Sequence, residues 1–280
     1  MDPIASFPAS GAERFLKIAT ALQNRSLERL ATGWRINRGA DDPAGLISSE
    51  HLRSQLAALD AESRALTRAE HVAATADGAL GEIADLLVDA EGLAVAAANT
   101  AGMSDAEREA YQMQMDSTLQ SAQRIAATTT FNGTRLLDGN FTMSVGDASV
   151  TMASGDPSDI GQVTGSGGET YTVADTASGR PINLVTGNVE LAHQSIRAAQ
   201  AQVAQSQGRL GAFVRNTVEP AWNAARVAFE NTAAANSAIR DTDFGAEASA
   251  LVRSGILAGA SMNAMGIGRS RAATALTLLG

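Results

Sequence analysis

An apolar residue recurs every three or four positions along two separated stretches of this 280-residue chain. In the first, Leu66, Ala69, Ala73, Ala76, Leu80, Ile83, Leu87, Ala90, Ala94 and Ala97 alternate steps of three and four. The seven-residue series extends back through Leu59 to Leu52. In the second, Val189, Ala192, Ile196, Ala199, Val203, Ser206, Leu210 and Phe213 keep the same spacing. A repeat averaging 3.5 residues holds one stripe of a helix against a partner helix. Each arm therefore needs an apolar partner, and the other arm is the obvious one. Many seam positions are Ala, which lets helix axes approach closely. The fold class that follows is mainly α: a long antiparallel helical, coiled-coil rod with a small β-hairpin region inserted between the N- and C-terminal helical arms. An ordinary helical bundle with a buried stripe shares this architecture.

Composition agrees with thin helical layers. The chain is 45% hydrophobic but only 4% aromatic, too little bulk for a thick core. It has no cysteine, which excludes disulfides and thiolate metal sites. Met1 to Gly11 carries Pro3 and Pro8 and lacks a basic stretch followed by an apolar core, so it does not read as a secretory signal. No apolar run approaches the ~20 residues that cross a bilayer, so no membrane insertion is expected. The net charge of −9 argues against nucleic acid as a partner. That charge is uneven. Arg14, Lys17, Arg25, Arg29, Arg35 and Arg38 outweigh Asp2, Glu13 and Glu28 in residues 1–40, giving +3; residues 241–280 balance, and 41–240 carry −12. The ends and the middle face different surroundings, or face each other across subunits.

Local signals divide the chain into five segments. Residues 1–45 contain a helix over 13–34, with Phe15, Leu16, Ile18, Leu22, Leu27, Leu30 and Trp34 as apolar points, then a break at Asn37–Asp42. Residues 46–129 hold the long helix, capped by Asp42 ahead of Pro43 and ended by Gly102. A third helix runs from the Ser104/Glu107 capping box to about Ala127. Residues 130–187 read as short hairpins. Asn132-Gly133 and Asp138-Gly139 mark turns, and 142–145, 150–152, 171–173 and 182–185 are β-prone runs. Residues 188–240 form the second arm, capped by Asn188, with Pro220 predicted to kink it or force a local break. Residues 241–280 follow an interruption at Asp241–Asp243 and pair with 1–45. Gly255, Gly259, Gly266 and Gly268 each weaken this last helix by roughly 1 kcal/mol relative to Ala. The two terminal helices are the least self-sufficient parts, and they are expected to order on assembly.

Catalytic chemistry finds little to work with. His51, His71 and His193 are far apart and lie outside any His-Glu-x-x-His spacing; solvated helix positions describe them best. Gly165-Ser166-Gly167-Gly168 lacks the Lys-Ser/Thr and the helix that a phosphate cradle requires. Asp41 and Asp42 could serve as paired carboxylates, but a helix cap and dipole partner is the stronger reading because Pro43 and a long helix follow.

Three stretches resemble bacterial flagellin. Leu30-Ala31-Thr32-Gly33-Trp34-Arg35-Ile36-Asn37, followed by Asp41-Asp42-Pro43-Ala44-Gly45, resembles that family's Leu-Ser-Ser-Gly-Leu-Arg-Ile-Asn and Asp-Asp-Ala-Ala-Gly. Thr130 to Gly139 resembles the hairpin after the third flagellin helix. Ile239-Arg240-Asp241-Thr242-Asp243-Phe244 with Glu247 resembles the C-terminal signature. Order and distance from the ends agree. The segments 7–11 and 266–271 depart from the family pattern, as does Pro220.

The resemblance implies a structural subunit, not an enzyme, that polymerises into the extracellular flagellar filament and needs no cofactor or metal. It implies paired terminal helices as an inner core. Its partners are copies of itself in a helical homopolymer, the type III export apparatus, an export chaperone, the filament cap and hook-associated proteins. The middle is short, so the chain resembles a minimal flagellin without large outer domains. Subunit-interface candidates are the apolar points Leu16, Leu22, Leu30, Leu251, Ile256, Leu276 and Leu279, and the charged or polar bends Arg35, Asn37, Asp41, Asp42, Arg240, Asp241 and Asp243. Many flagellins are read by a vertebrate innate-immune receptor at a stretch resembling Gln-Arg-x-Arg-x-Leu-Ala-Val-Gln. Aligned on Leu93-Ala94-Val95, this chain has Val88, Asp89, Glu91 and Ala96 at the Gln, Arg, Arg and Gln positions, and weak or absent recognition follows. A hook–filament junction protein shares the terminal pattern. A cytoplasmic coiled-coil signalling hairpin would need a tight tip and usually an anchor, and an enzyme housed in the middle would need a constellation that is missing there.

Overall fold

The computed structural model describes residues 7–99 and 103–279, without the side chains of 7–10, 271–272 and 275–279. Gly102, expected to end the long helix, lies outside the described residues. Contacts divide the chain into two compact units, Met1–Leu59 with Val227–Gly280, and Asp60–Arg226. The divisions fall inside helices.

In the first unit, α1 (Phe7–Thr32) packs against α6 (Phe244–Leu279). α1 begins earlier than the apolar pattern suggests, with Pro8 in the first turn, where its missing amide would have had no helical partner. It also ends before Trp34. Gly33 adopts φ +75° and its amide reaches back 2.8 Å to the Arg29 carbonyl, a left-handed cap that residues with a Cβ adopt only with strain. α2 (Pro43–Ala98) starts where Asp42 Oδ1 accepts the Gly45 amide at 2.9 Å. Gly45 is required there: a Cβ would lie 2.4 Å from Asp42 Oδ2 and 2.7 Å from Ile36 Cδ1, and Ile36 is itself buried. α5 (Glu219–Arg240) gives way to α6 at 241–243, and Asp243 Oδ1 accepts the amides of Gly245 and Ala246. α6 then continues as helix through all four of its interior glycines, despite their cost.

In the second unit the long part of α2 lies with α3 (Asp105–Thr128) and α4 (Val189–Phe213) around one core. Leu66, Ala73, Ala76, Leu80, Ile83, Leu87, Ala90, Ala94 and Ala97 are buried, as are Ala192, Ile196, Ala199, Val203, Leu210 and Phe213. Ser104 and Glu107 close the capping box on α3, and Asn188 caps α4 through the Leu191 amide.

Three two-stranded antiparallel ribbons sit between α3 and α4. β1 (Thr130–Phe131) and β2 (Thr134–Arg135) are joined by Asn132 at φ 50° and Gly133 at φ 81°, the two left-handed residues that a tight hairpin turn needs. β3 (Thr142–Val145) pairs β4 (Ala148–Thr151) with Met143 opposite Val150, and Met143 turned inward. β5 (Val163–Thr164) pairs β6 (Thr170–Tyr171).

Two expectations are corrected here. Residues 182–185 form turns, not a strand: the Leu184 amide donates to Gln112 Oε1 at 2.7 Å, so a buried side chain of α3 takes the bond that a neighbouring strand would have supplied. Pro220 does not break the arm. Val214–Val218 widen into a π turn in which the Glu219 amide reaches the Val214 carbonyl, and this wider turn makes room for Pro220, which has no amide to donate, as the helix continues into α5.

Candidate assembly surface

Small residues meet where α1 and α6 touch. Ala19, Ser26, Ser254 and Ala258 are buried, so the axes run close. Many of the large apolar side chains on the two helices stay exposed beside that seam. Phe15, Ile18, Leu22 and Leu27 on α1, and Val252, Ile256, Leu257, Met262 and Ile267 on α6, are between 45% and 67% exposed. Phe15, Ile18, Leu22, Leu257, Ala260 and Ala264 contribute to an apolar groove of about 470 Å³. Of the sequence-derived apolar candidates, Leu22 and Ile256 lie on this exposed face, and Leu16, Leu30 and Leu251 are half-buried. The side chains of Leu276 and Leu279 lie outside the described residues.

The charged bends converge at the other end of the terminal pair. Trp34 and Asp241 form an antiparallel bridge: the Arg35 amide donates to the Arg240 carbonyl at 2.6 Å, and the Thr242 amide to the Gly33 carbonyl at 2.9 Å. Arg35 Nη2 donates to the Ile239 carbonyl at 2.6 Å, satisfying the C-terminal end of α5. The Arg240 guanidinium lies 4.2 Å from the Trp34 ring centroid and donates to Glu50 Oε1 at 2.8 Å. Ser49 Oγ, beside it, donates to Asn236 Oδ1 at 2.9 Å. Arg240 is 8% exposed, so most of its surface is spent within its own chain.

Asp41 Oδ2 accepts the amides of Asn37 and Arg38 at 3.2 and 3.1 Å. Burial pushes the Asp41 carboxyl up, but those two amides together with Arg38 and Arg25 outweigh it and hold the group below the usual range. The Glu50 carboxyl is lowered too, first by its bond to Arg53 and then by Arg240. Arg38 is bonded to Glu28, which raises its pKa. Asn37 Nδ2 donates to the Trp34 carbonyl, and Ser237 to Asp241. Thus Arg35, Asn37, Asp41, Asp42, Arg240, Asp241 and Asp243 all serve first to shape one joint inside the chain. The Trp34–Arg240 stack spans over two hundred residues of sequence, and no local signal announces it.

In the second unit Val88 and Asp89 are exposed, but Glu91 is not the solvated charge that its helix position suggests. It accepts from Gln200 Nε2 at 3.0 Å and lies 3.2 Å from His193 Nε2 and 3.3 Å from Arg197 Nε. His193 is accordingly half-buried and partnered, correcting its reading as a solvated position; His51 and His71 are exposed. Among the described residues no group of three or more His, Asp or Glu side chains could hold a metal ion, and no helix is long and apolar enough to cross a membrane.

A family model described as the bacterial flagellin N-terminal helical region matches residues 6–142. The chain is 31% identical to a flagellin of Halalkalibacterium halodurans over 258 residues, 91% of each chain. It is 29% identical to the flagellar filament 31.3 kDa core protein of Treponema maltophilum over 285 residues, 96% of each. It is also 38% identical to polar flagellin F of Vibrio parahaemolyticus over 130 residues, 46% of this chain and 34% of that one.

Proposed function

Because the chain belongs to the flagellins, the structural subunits of the extracellular flagellar filament, we propose that it polymerises through the outward apolar faces of α1 and α6. The observation that carries this reading is the division of labour on those helices: the fully buried positions of their mutual seam are small, and many large apolar residues beside it stay exposed, several of them lining one groove. Fully burying a side chain such as Ile256 or Leu257 is worth roughly 1.5–3 kcal/mol, and at half exposure about 1 kcal/mol remains to be gained from each. Several such positions per subunit offset the rotational and translational cost of association. In this scheme the α1 face of one copy meets the α6 face of the next; such a heterologous contact, where it does not close, extends as a helical array.

Leu16, Leu22, Leu30, Leu251, Ile256, Leu276 and Leu279 supply the apolar contacts in this scheme. The joint at Arg35, Asn37, Asp41, Asp42, Arg240, Asp241 and Asp243 ties the terminal pair to the adjoining ends of α2 and α5. Pairs of that kind are individually weak and fix register more than strength. The same reading makes the role structural rather than catalytic. It carries delivery through the type III apparatus with an export chaperone, and contact with the filament cap and hook-associated proteins.

Electron microscopy of a chain lacking residues 246–280 tests the proposal, alongside Ile256→Asp in the full chain. Both are expected to remain helical and stay monomeric. Ordinary long filaments from either would end it.

A further inference from the structure

The pairing of α1 with α6 also builds a charged cleft of about 240 Å³, which adjoins the apolar groove and shares Leu22 and Leu257 with it, and whose walls include Arg25 and Arg29 from α1 and Glu247 and Arg253 from α6. Three guanidinium groups face one carboxylate. Glu247 is committed to Arg29, at 3.4 Å. Arg25 and Arg253 are exposed and have no ion-pair partner among the described residues; Arg25 acts on Asp41 only at a distance. Arg29 Nε is buried and has no acceptor among the described residues. The cleft is therefore short of negative charge and holds an unused donor. Guanidinium groups in this arrangement suit a carboxylate, which can accept two parallel bonds.

We infer that the Arg25–Arg29–Arg253 cleft seats a carboxylate of a second copy of this chain. This rests on the polymerisation reading and adds to it a charged steering contact beside the apolar face. The argument for that occupant is charge complementarity. Residues 1–40 carry +3 and residues 41–240 carry −12. Asp77, Glu82, Asp85 and Asp89 are exposed on α2 with no ion pair among the described residues. A polymerising solution of the chain thus presents its own carboxylates to every cleft. Exposed charges of this kind act on association rate and on its salt dependence more than on final affinity, and they are screened within about 8 Å at physiological ionic strength.

The test is seeded elongation of the full-length chain, followed by light scattering across a NaCl series. Sulfate is avoided because it strengthens apolar burial by itself. Wild type should elongate more slowly as NaCl rises. Arg25→Glu/Arg253→Glu should slow elongation at low salt by about tenfold and flatten the NaCl dependence. Arg25→Lys/Arg253→Lys should keep most of the rate. Both positions are exposed, and circular dichroism melts of the monomers report whether folding is intact; Arg25→Gln/Arg253→Gln gives an intermediate rate if charge is what acts. Charge-reversed subunits that elongate at the wild-type rate, with the wild-type salt slope, would overturn the inference. So would a lysine variant as slow as the glutamate one. Failure of wild type to elongate under any condition would instead defeat the polymerisation reading.

Discussion

Replacing Arg240 by Ala removes the group that ties together three parts of the joint. Its guanidinium stacks on Trp34 at 4.2 Å, reaches Glu50 at 2.8 Å and approaches Ser49 Oγ at 3.4 Å. A cation over a ring is worth 0.5–1 kcal/mol when exposed and about 2 kcal/mol when desolvated. Trp34 is 44% exposed and Arg240 only 8%, so the stack contributes about 1–2 kcal/mol. The pair with half-exposed Glu50 works in the same direction but is screened by solvent. The Arg240 Nε is buried without an acceptor among the described residues, and its removal offsets part of the loss. The net expectation stays within about 1–2 kcal/mol, a factor of roughly 5–30 in the population of an opened joint. The chain has two tryptophans, so in a Trp222→Phe background Trp34 emission reports on this joint alone. A urea titration should show the Trp34 transition at lower urea in Arg240→Ala. Arg240→Lys should fall between, since it keeps the charge and loses the planar stack. An unchanged Trp34 transition in Arg240→Ala would refute the reasoning. Full retention by the lysine variant would show that charge, not stacking, holds the joint.

Gly45→Ala should lower monomer stability by about 1–3 kcal/mol through overpacking, because its Cβ would meet both Asp42 and the buried Ile36; an unchanged thermal melt would contradict this. Acid should loosen the joint. Asp41 and Glu50 have folded-state pKa values below their ordinary 3.8 and 4.5, so their stabilisation is complete above those values and is lost as pH falls through the lower, folded-state ones. Melts of wild type and Asp41→Asn should then converge below about pH 4, and a constant difference down to strong acid would contradict the sign. In dilute monomer, amide exchange should be fast over 1–40 and 245–280 and slow over 52–97 and 189–213; uniform protection would argue against ordering of the termini on assembly. Activation of a vertebrate innate-immune receptor, read in reporter cells, should be weak or absent. No arginine stands at Asp89 or Glu91, and Arg197 already pairs with Glu91. Potency matching a typical enterobacterial flagellin would overturn that expectation.

The seams of α2 and α4 could be read before any coordinates because a 3.5-residue repeat is a property of neighbours along the chain. The caps at Asp42, Ser104 and Asn188 are local for the same reason: each side chain bonds an amide three residues on. What escaped a sequence reading is long-range. Leu184 meets Gln112 across 72 residues, and His193 meets Glu91 across 102. Trp34 meets Arg240 because two chain breaks align. The exposed apolar face was partly visible: the stripe on α1 was evident, but which of its points the pairing with α6 buries depends on a helix more than two hundred residues away, and the fully buried positions are the small ones.

The π turn at Val214–Val218 has a consequence for the phase of the second arm. Along α4 the buried line advances by threes and fours to Phe213; its next buried residue is Val218, five positions on, and then half-buried Trp222 and buried Ala225 resume the shorter steps. In an uninterrupted α-helix that extra residue would turn everything beyond it by about 100°, and the apolar line would leave the core. The wide turn absorbs the surplus, so the line stays on one face. A single-residue deletion within 214–218 is thus in phase with both flanks, whereas the same deletion in the middle of α4 rotates the remainder of the arm out of its seam. The arm carries one spare residue, stored where Pro220 would otherwise collide with the turn before it.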